Sequence, residues 1–194
     1  MKDGEPLTGI VLAGGKSSRM NRDKGLIRYK QKPFVQHIIA ALQPLVDEII
    51  IVSDDPQYDV FAQRRVEDWI KNVGPLAGIY TGLSHAKTRD SLILSCDIPL
   101  INSAVLSQLI NRTAEPVEVV QMQCRGKTMP LVARYKKTCM QPCLRLIESG
   151  ERRVRFFVDQ LRSKTIVAGD STAKYILNIN TPNELKKLNH GCKH

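Results

Sequence analysis

Aromatic rings are scarce in this chain: Phe, Trp and Tyr together make up 5% of its 194 residues. Proteins that grip single-stranded nucleic acid stack its bases on aromatic side chains set among basic ones. Here the lysines and arginines are spread along the chain without such a platform, so nucleic acid is not the expected partner. Long apolar runs are missing too. None approaches the roughly 20 residues of a membrane helix, and Met1-Lys2-Asp3-Gly4-Glu5-Pro6 lacks the charged-then-apolar layout of a secretory leader. The chain therefore reads as a cytoplasmic protein without membrane contact. Its five cysteines, Cys96, Cys124, Cys139, Cys143 and Cys192, form no C-x-x-C pair, and their odd number and irregular spacing argue against a disulfide framework. Cys139 and Cys143 stand four apart on an expected helix. With no second pair or nearby histidine to complete four ligands, they read as small buried hydrophobes. His37 and His85, on expected helices without partners, read as packing or surface residues.

What is present is globular in composition, with 42% hydrophobic and 25% charged residues. The length suits a single domain over residues 1–194, with loose ends at 1–6 and 190–194. Lys and Arg number 29 against 19 Asp and Glu, a net charge of +10. Such an excess attracts anions, and phosphorylated small molecules are the favoured class.

Three continuous apolar runs, Leu7 to Ala13, Glu48 to Ser53 and Ser91 to Cys96, have the pattern of strands covered on both faces. A helix begins at Pro33 and places Phe34, Val35, Ile38, Ile39 and Leu42 on one side; a second runs from Leu76 to Ala86. Strands alternating with helices predict an α/β fold: three layers around a largely parallel, doubly wound sheet, with some mixed strands. Further on, Val117 to Cys124 and Leu131 to Arg134 read as strands. Ser103 caps a helix reaching Ile110, and Thr138 to Ser149 is a helix stopped by Gly150. Tyr175 to Ile179 reads as a strand feeding a last helix that starts at Pro182.

Directly after the first strand comes Gly14-Gly15-Lys16-Ser17-Ser18-Arg19-Met20-Asn21-Arg22-Asp23-Lys24. In open α/β sheets ligands bind beyond the carboxyl ends of strands. Adjacent glycines let backbone N–H groups approach phosphate oxygens, and Lys16, Arg19 and Lys24 add the charge that a polyphosphate requires. A Walker loop is excluded, because its first glycine would fall on Ile10, and no G-x-G-x-x-G occurs. The plain alternative is a tight turn with solvated lysines. Asp97 follows the third strand, where one carboxylate suffices for magnesium, which draws its other ligands from water and phosphates. A turn residue before Pro99 is the alternative. Asn178 and Asn180 share a face if a strand continues through them; they either orient a substrate, or Asn180 caps the helix near Pro182.

The run Leu12 to Met20 with Asp23-Lys24 resembles the signature loop of nucleotidyltransferases. Val73-Gly74-Pro75-Leu76-Ala77-Gly78, Ser95-Cys96-Asp97-Ile98-Pro99, Gly150-Glu151-Arg152-Arg153-Val154 and Asn178 to Leu185 extend that resemblance to the molybdenum cofactor guanylyltransferases, over nearly the whole chain. Two departures are Asn21-Arg22 where the family has a glycine, and Met129-Pro130 in place of a common His-Pro pair. The resemblance implies a Rossmann-like nucleotidyltransferase fold and transfer of GMP from GTP to the terminal phosphate of molybdopterin, with Mg2+ and release of pyrophosphate. It implies nucleotide binding by Leu12, Ala13, Gly14, Gly15, Lys24, Ser53, Asp68 and Asp97. Catalysis is implied for Lys24, Arg19 and Asp97, the metal at Asp97, and acceptor binding at Asn178 and Asn180. An unstable pterin implies direct handover, hence transient contact with other molybdenum cofactor biosynthesis proteins. Relatives that use CTP read Leu-Ala-Ala-Gly at residues 12–15, which favours GTP here. The rival readings are a related enzyme using CTP or a sugar phosphate, and a basic nucleotide- or RNA-binding module without chemistry.

Overall fold

A computed structural model describes residues 5–14, 16–17, 22–110 and 116–190. In chain order the elements are β1 (Leu7–Leu12), β2 (Lys16–Ser17), β3 (Arg22–Asp23), β4 (Arg28–Tyr29), β5 (Lys32–Pro33), α1 (Phe34–Leu42), β6 (Glu48–Val52) and β7 (Arg64–Val66). They continue with α2 (Pro75–His85), β8 (Asp90–Ser95), α3 (Ser103–Ile110), β9 (Val119–Cys124), β10 (Lys127–Lys136), α4 (Met140–Glu148), α5 (Val154–Asp159), β11 (Ser163–Val167), α6 (Asp170–Ala173) and α7 (Pro182–His190). The loose ends expected at the termini fall largely on 1–4 and 191–194, outside the described residues, while His190 closes α7.

The apolar runs became the centre of a seven-stranded sheet ordered β11-β9-β10-β8-β1-β6-β7. β1 pairs in parallel with β6 and β8, β6 with β7, and β11 with β9; β10 alone runs against its neighbours. Successive side chains of a strand face opposite ways, which sorts them into two cores. Val11, Ile51, Leu92 and Val120 pack with α1 and α3, whereas Ile10, Ile50, Ile93 and Ala133 pack with α2, α4 and α5. Three layers result, as the alternation of strands and helices predicts. The lone antiparallel strand is the mixed element.

Several local readings are corrected. Tyr175 to Ile179 is not a strand: Lys174–Ile176 form a 3-10 turn, and Ile179 donates its N–H to the carbonyl of Asp97 (2.8 Å) instead of joining a ladder. Asn102, not Ser103, caps α3, accepting the N–H of Val105 at 3.0 Å. β10 is longer than the run from Leu131 to Arg134. It tolerates Pro130 because its register on β9 slips between Met129 and Ala133, freeing that position from the ladder. The edge strands β7 and β11 escaped sequence reading because they are short and, in β11, mostly exposed and polar. The helix expected from Thr138 starts as a 3-10 turn, Lys137–Cys139, before α4, and its stop at Gly150 is confirmed by a φ of 89° there. Cys139 and Cys143 are fully buried as expected, with their thiols near backbone carbonyls of Glu118 and Leu76. His37 bonds the carbonyl of Tyr29, and His85 sits by Trp69 at the end of α2.

Helix α2 lies so close to β1 that glycine is required where they touch. A Cβ on Gly82 would stand 2.5 Å from Cγ2 of Ile10. Gly82→Ala would gain about 1 kcal/mol of helix propensity but force Ile10 aside at about 1–3 kcal/mol. Overlap outweighs propensity, and urea unfolding should show a lowered midpoint with an unchanged slope.

Candidate active site

The chain leaves β1 through α1 to β6 on one side and returns through α2 to β8 on the other, so a crevice opens at the carboxyl ends of β1 and β8. Parallel pairing continues just past the strands: Ala13 donates to Val52, Cys96 to Leu12, and Ser53 to Val66, at 2.9–3.1 Å. These bonds hold Gly14, Ser53 and Asp97 along one rim.

Asp97 is the hub of this rim. Its Oδ1 accepts the hydroxyl of Ser95 (2.7 Å) and the amide of Asn178 (3.1 Å), and its Oδ2 accepts the ammonium of Lys24 at 3.3 Å. Lys24 also donates to Oδ1 of Asn180. Lys24, Asp97, Asn178 and Asn180, separated by up to 156 positions in sequence, are thus joined in one cluster. Ser95 completes it; sequence reading gave that residue no role, although it opens the Ser95-Cys96-Asp97 motif. The neighbouring Cys96 is inert, since burial and then the charge of Asp97 push its thiol up to about 12.

The capping role left open for Asn180 is excluded by α7. Oγ1 of Thr181 accepts the N–H of Glu184 (3.2 Å), and the Glu184 carboxylate returns to the N–H groups of Thr181 and Asn180 (2.9 and 2.7 Å), a reciprocal capping box. Thr181 therefore caps the helix. The side chain of Asn180 is left to face Lys24. The backbone N–H of Asn180, above all, holds the Glu184 carboxyl below its ordinary value.

Other expected nucleotide contacts lie along the rim without joining the cluster through a described hydrogen bond. Leu12 and Ala13 are buried under it. Gly14 is exposed, and among the described residues a Cβ there would meet nothing within 4 Å, so their packing does not demand glycine at that position. Ser53 is buried, with its hydroxyl accepting the N–H of Asp55. Asp68 is half-buried beside α2, where Thr81 donates to its Oδ1 (2.7 Å), and burial raises its carboxyl above the usual range. Gly15, Arg19 and Asn21 lie outside the described residues.

Beside the cluster opens a cavity of about 780 Å³ that shares Ser95 and Asn178 with it. Met129 and Pro130, from the slipped stretch of β10, line it together with Arg153 and Phe156 at the start of α5. The hydroxyl of the fully buried Tyr135 donates to the carbonyl of Pro130 (2.8 Å), and its ring lies parallel to that of Phe157. One side chain thus ties two walls of the cavity together. Sequence reading found the Gly150 to Val154 segment but not this role, because it depends on packing across β10. Among the described residues no three or more His, Cys, Asp or Glu converge, so a divalent ion here would rely on Asp97 and on ligand oxygens.

Residues 9–165 match the MobA-like NTP transferase domain. The chain belongs to that family. This nucleotidyltransferase is 37% identical over 185 residues to a protein of Flavobacterium johnsoniae named "probable molybdenum cofactor guanylyltransferase", covering 95% of this chain and 97% of the relative. It is 30% identical over 182 residues to a Vibrio campbellii molybdenum cofactor guanylyltransferase, covering 92% and 93%. Its fold matches the crystal structure of molybdopterin-guanine dinucleotide biosynthesis protein A from Archaeoglobus fulgidus with a TM-score of 0.82 at 22% identity, over 95% and 98% of the two chains.

The turn into α5 is clasped by Glu151, which accepts the N–H groups of Arg152 and Arg153 (both 2.8 Å) and the Arg153 guanidinium (2.9 and 2.7 Å). The Arg153 guanidinium first, then these amides, hold its carboxyl down to about 2. A folded value below the ordinary one, roughly 4.3, means stability that is full above that pH and lost as pH falls toward the folded value. Glu151→Gln should lower the urea midpoint at pH 7, with the gap to the native protein closing on acidification. A gap independent of pH would show that the clasp is not ionic.

Proposed function

We propose that this nucleotidyltransferase transfers GMP from GTP to the terminal phosphate of molybdopterin, forming the guanine dinucleotide and releasing pyrophosphate. The observation that carries the reading is the cluster at the sheet rim. A cation, a carboxylate and two amides converge between a glycine-containing loop and a cavity large enough for a second substrate. The names of the relatives support guanine and molybdenum cofactor as substrates, and the cluster beside a cavity supports a site where two polyanions meet.

The acceptor needs little activation, because a phosphomonoester's second ionisation lies near pKa 6 and its oxygen is already anionic at neutral pH. Repulsion between two anions is the obstacle. Lys24 answers it by turning its ammonium to the triphosphate, and the loop from Leu12 through Arg19 adds amides and further charge. Asn178 and Asn180 orient the acceptor phosphate from the cavity side. Arg153 and its neighbour Arg155 add positive charge at the cavity wall. Asp97 fits magnesium: it offers hard oxygens at a strand end, with Ser95 and Asn178 fixing the carboxylate plane. The ion, when bound, would neutralise phosphate charge that builds on the leaving group. The excess of cations in the chain suits an enzyme whose substrates and product are all polyanions. A cytoplasmic site of action and brief contact with other molybdenum cofactor biosynthesis proteins accord with this reading, and no helix among the described residues is long and apolar enough to cross a membrane.

Radiolabelled GTP, molybdopterin and Mg2+ incubated with the protein should give the guanine dinucleotide and one pyrophosphate per turnover, with CTP and UTP far poorer donors. Unchanged pterin in the presence of bound GTP would overturn the proposal. Asp97→Asn should lower turnover by about 100-fold or more, as loss of a charged group at the reacting centre does, and chelation of the metal should stop the native enzyme. Gly14 lies outside the left-handed backbone region and has open space where a Cβ would stand. Gly14→Ala should therefore keep its urea midpoint while losing preference for GTP over CTP in a competition assay.

A further inference from the structure

Lys24 reaches Asp97 and Asn180 from a turn whose shape is set elsewhere in the fold. It opens the 3-10 turn Lys24–Leu26, and Asp23 caps that turn by accepting the N–H of Gly25 on Oδ1 at 2.9 Å. The same oxygen accepts the hydroxyl of Tyr58, which comes from the 3-10 segment Pro56–Phe61 beyond β6. Tyr58 is fully buried, with its ring tilted against Phe61 at 6.0 Å. Burial, as the main cause, raises its phenol well above the usual value, so the group stays a donor at all working pH values.

Gly25 is what lets the hydroxyl in. A Cβ on that residue would overlap the Tyr58 oxygen and stand 3.1 and 3.2 Å from Cζ and Cε1 of the ring. The φ of Gly25 is not positive, so backbone conformation does not call for glycine here. The close approach does. Phenylalanine would fill the same buried volume, and the hydroxyl's described hydrogen bond goes only to the carboxylate that caps the lysine's turn.

We propose that Tyr58 is a positioning residue for Lys24: its hydroxyl, seated against the bare face of Gly25, locks the Asp23 cap and so fixes where the ammonium meets the triphosphate. The proposal rests on the assignment of Lys24 to the nucleotide. Tyr58 itself touches no substrate. Without the hydroxyl, Asp23 keeps the amide of Gly25 but can swing, and the turn samples orientations that carry Lys24 off the phosphates.

The test is equilibrium binding of GTP with Mg2+, together with steady-state kinetics, on Tyr58→Phe, Lys24→Ala and the double variant. Tyr58→Phe should weaken GTP binding about tenfold, the size expected for one hydrogen bond to a charged group, and leave the acceptor KM within about twofold. In the Lys24→Ala background the same change should have no further effect, because the hydroxyl acts through that lysine. Additive effects would show a general structural role and overturn the proposal. GTP binding as tight in Lys24→Ala as in the native protein would instead sink the assignment of Lys24, whereas binding weakened in Lys24→Ala but native in Tyr58→Phe would sink the positioning role alone. Gly25→Ala gives an independent check: it should abolish GTP binding by itself and regain part of it when combined with Tyr58→Phe, which removes the overlapping oxygen. No regain would count against the seating of the hydroxyl on Gly25.

Discussion

A nearly buried carboxylate at the end of a central strand is the constraint around which the rest of the site is organised. Asp97 is 8% exposed, and an ion removed from water is tolerated only where partners replace its hydration. Its side-chain partners come from one near and two remote stretches of chain. Ser95 belongs to the same strand, Lys24 to the turn that follows the glycine-containing loop, and Asn178 to the segment before α7. The backbone takes part as well, since the carbonyl of Asp97 accepts the N–H of Ile179. Satisfying one charge therefore pins two distant segments onto the edge of the sheet.

This arrangement divides the crevice into two sides with different construction. The side beside β1 and β6 is built on parallel strands, whose ends line up and present loops in one direction. The cavity side is built around β10, the one strand that runs against the others, and on its slipped register beside β9. Such irregularities bend a strand and re-aim its side chains, and here the slip turns Met129 and Pro130 toward the opening of α5. Met129-Pro130 is also where the chain departs from the family's common His-Pro pair. The departure falls on the wall of the cavity and leaves the hub around Asp97 intact.

Positive charge is distributed to match. Lys24 is neutralised within the cluster by Asp97, while Arg153 is shared between Glu151 and the face of Phe156, 5.1 Å from its ring centroid. Paired in this way, cations can be held in fixed positions instead of sweeping through solvent.

Local pattern was enough for the sheet's core. Runs such as Leu7 to Ala13 and Ser91 to Cys96 are apolar on both faces, and only a strand sandwiched between helices buries them. The place of Asp97 just past β8, at the carboxyl edge of the sheet, was equally legible, because it follows directly from where the apolar run ends. Beyond local pattern lay everything decided by contact between remote segments. Tyr175 to Ile179 has the composition of a strand, yet Ile179 gives its N–H to Asp97. Asn180 had two plausible uses until Thr181 and Glu184 closed their own cap. Tyr58 and Tyr135 look like ordinary core aromatics, and their hydroxyls acquire meaning only from Asp23 and from the carbonyl of Pro130. The sequence by itself determined which segments must be buried and which polar residues stand at the strand ends, since periodicity and residue type act locally. Only the tertiary structure decided which polar groups meet, because a hydrogen bond between residues 35 or 156 positions apart leaves no local trace.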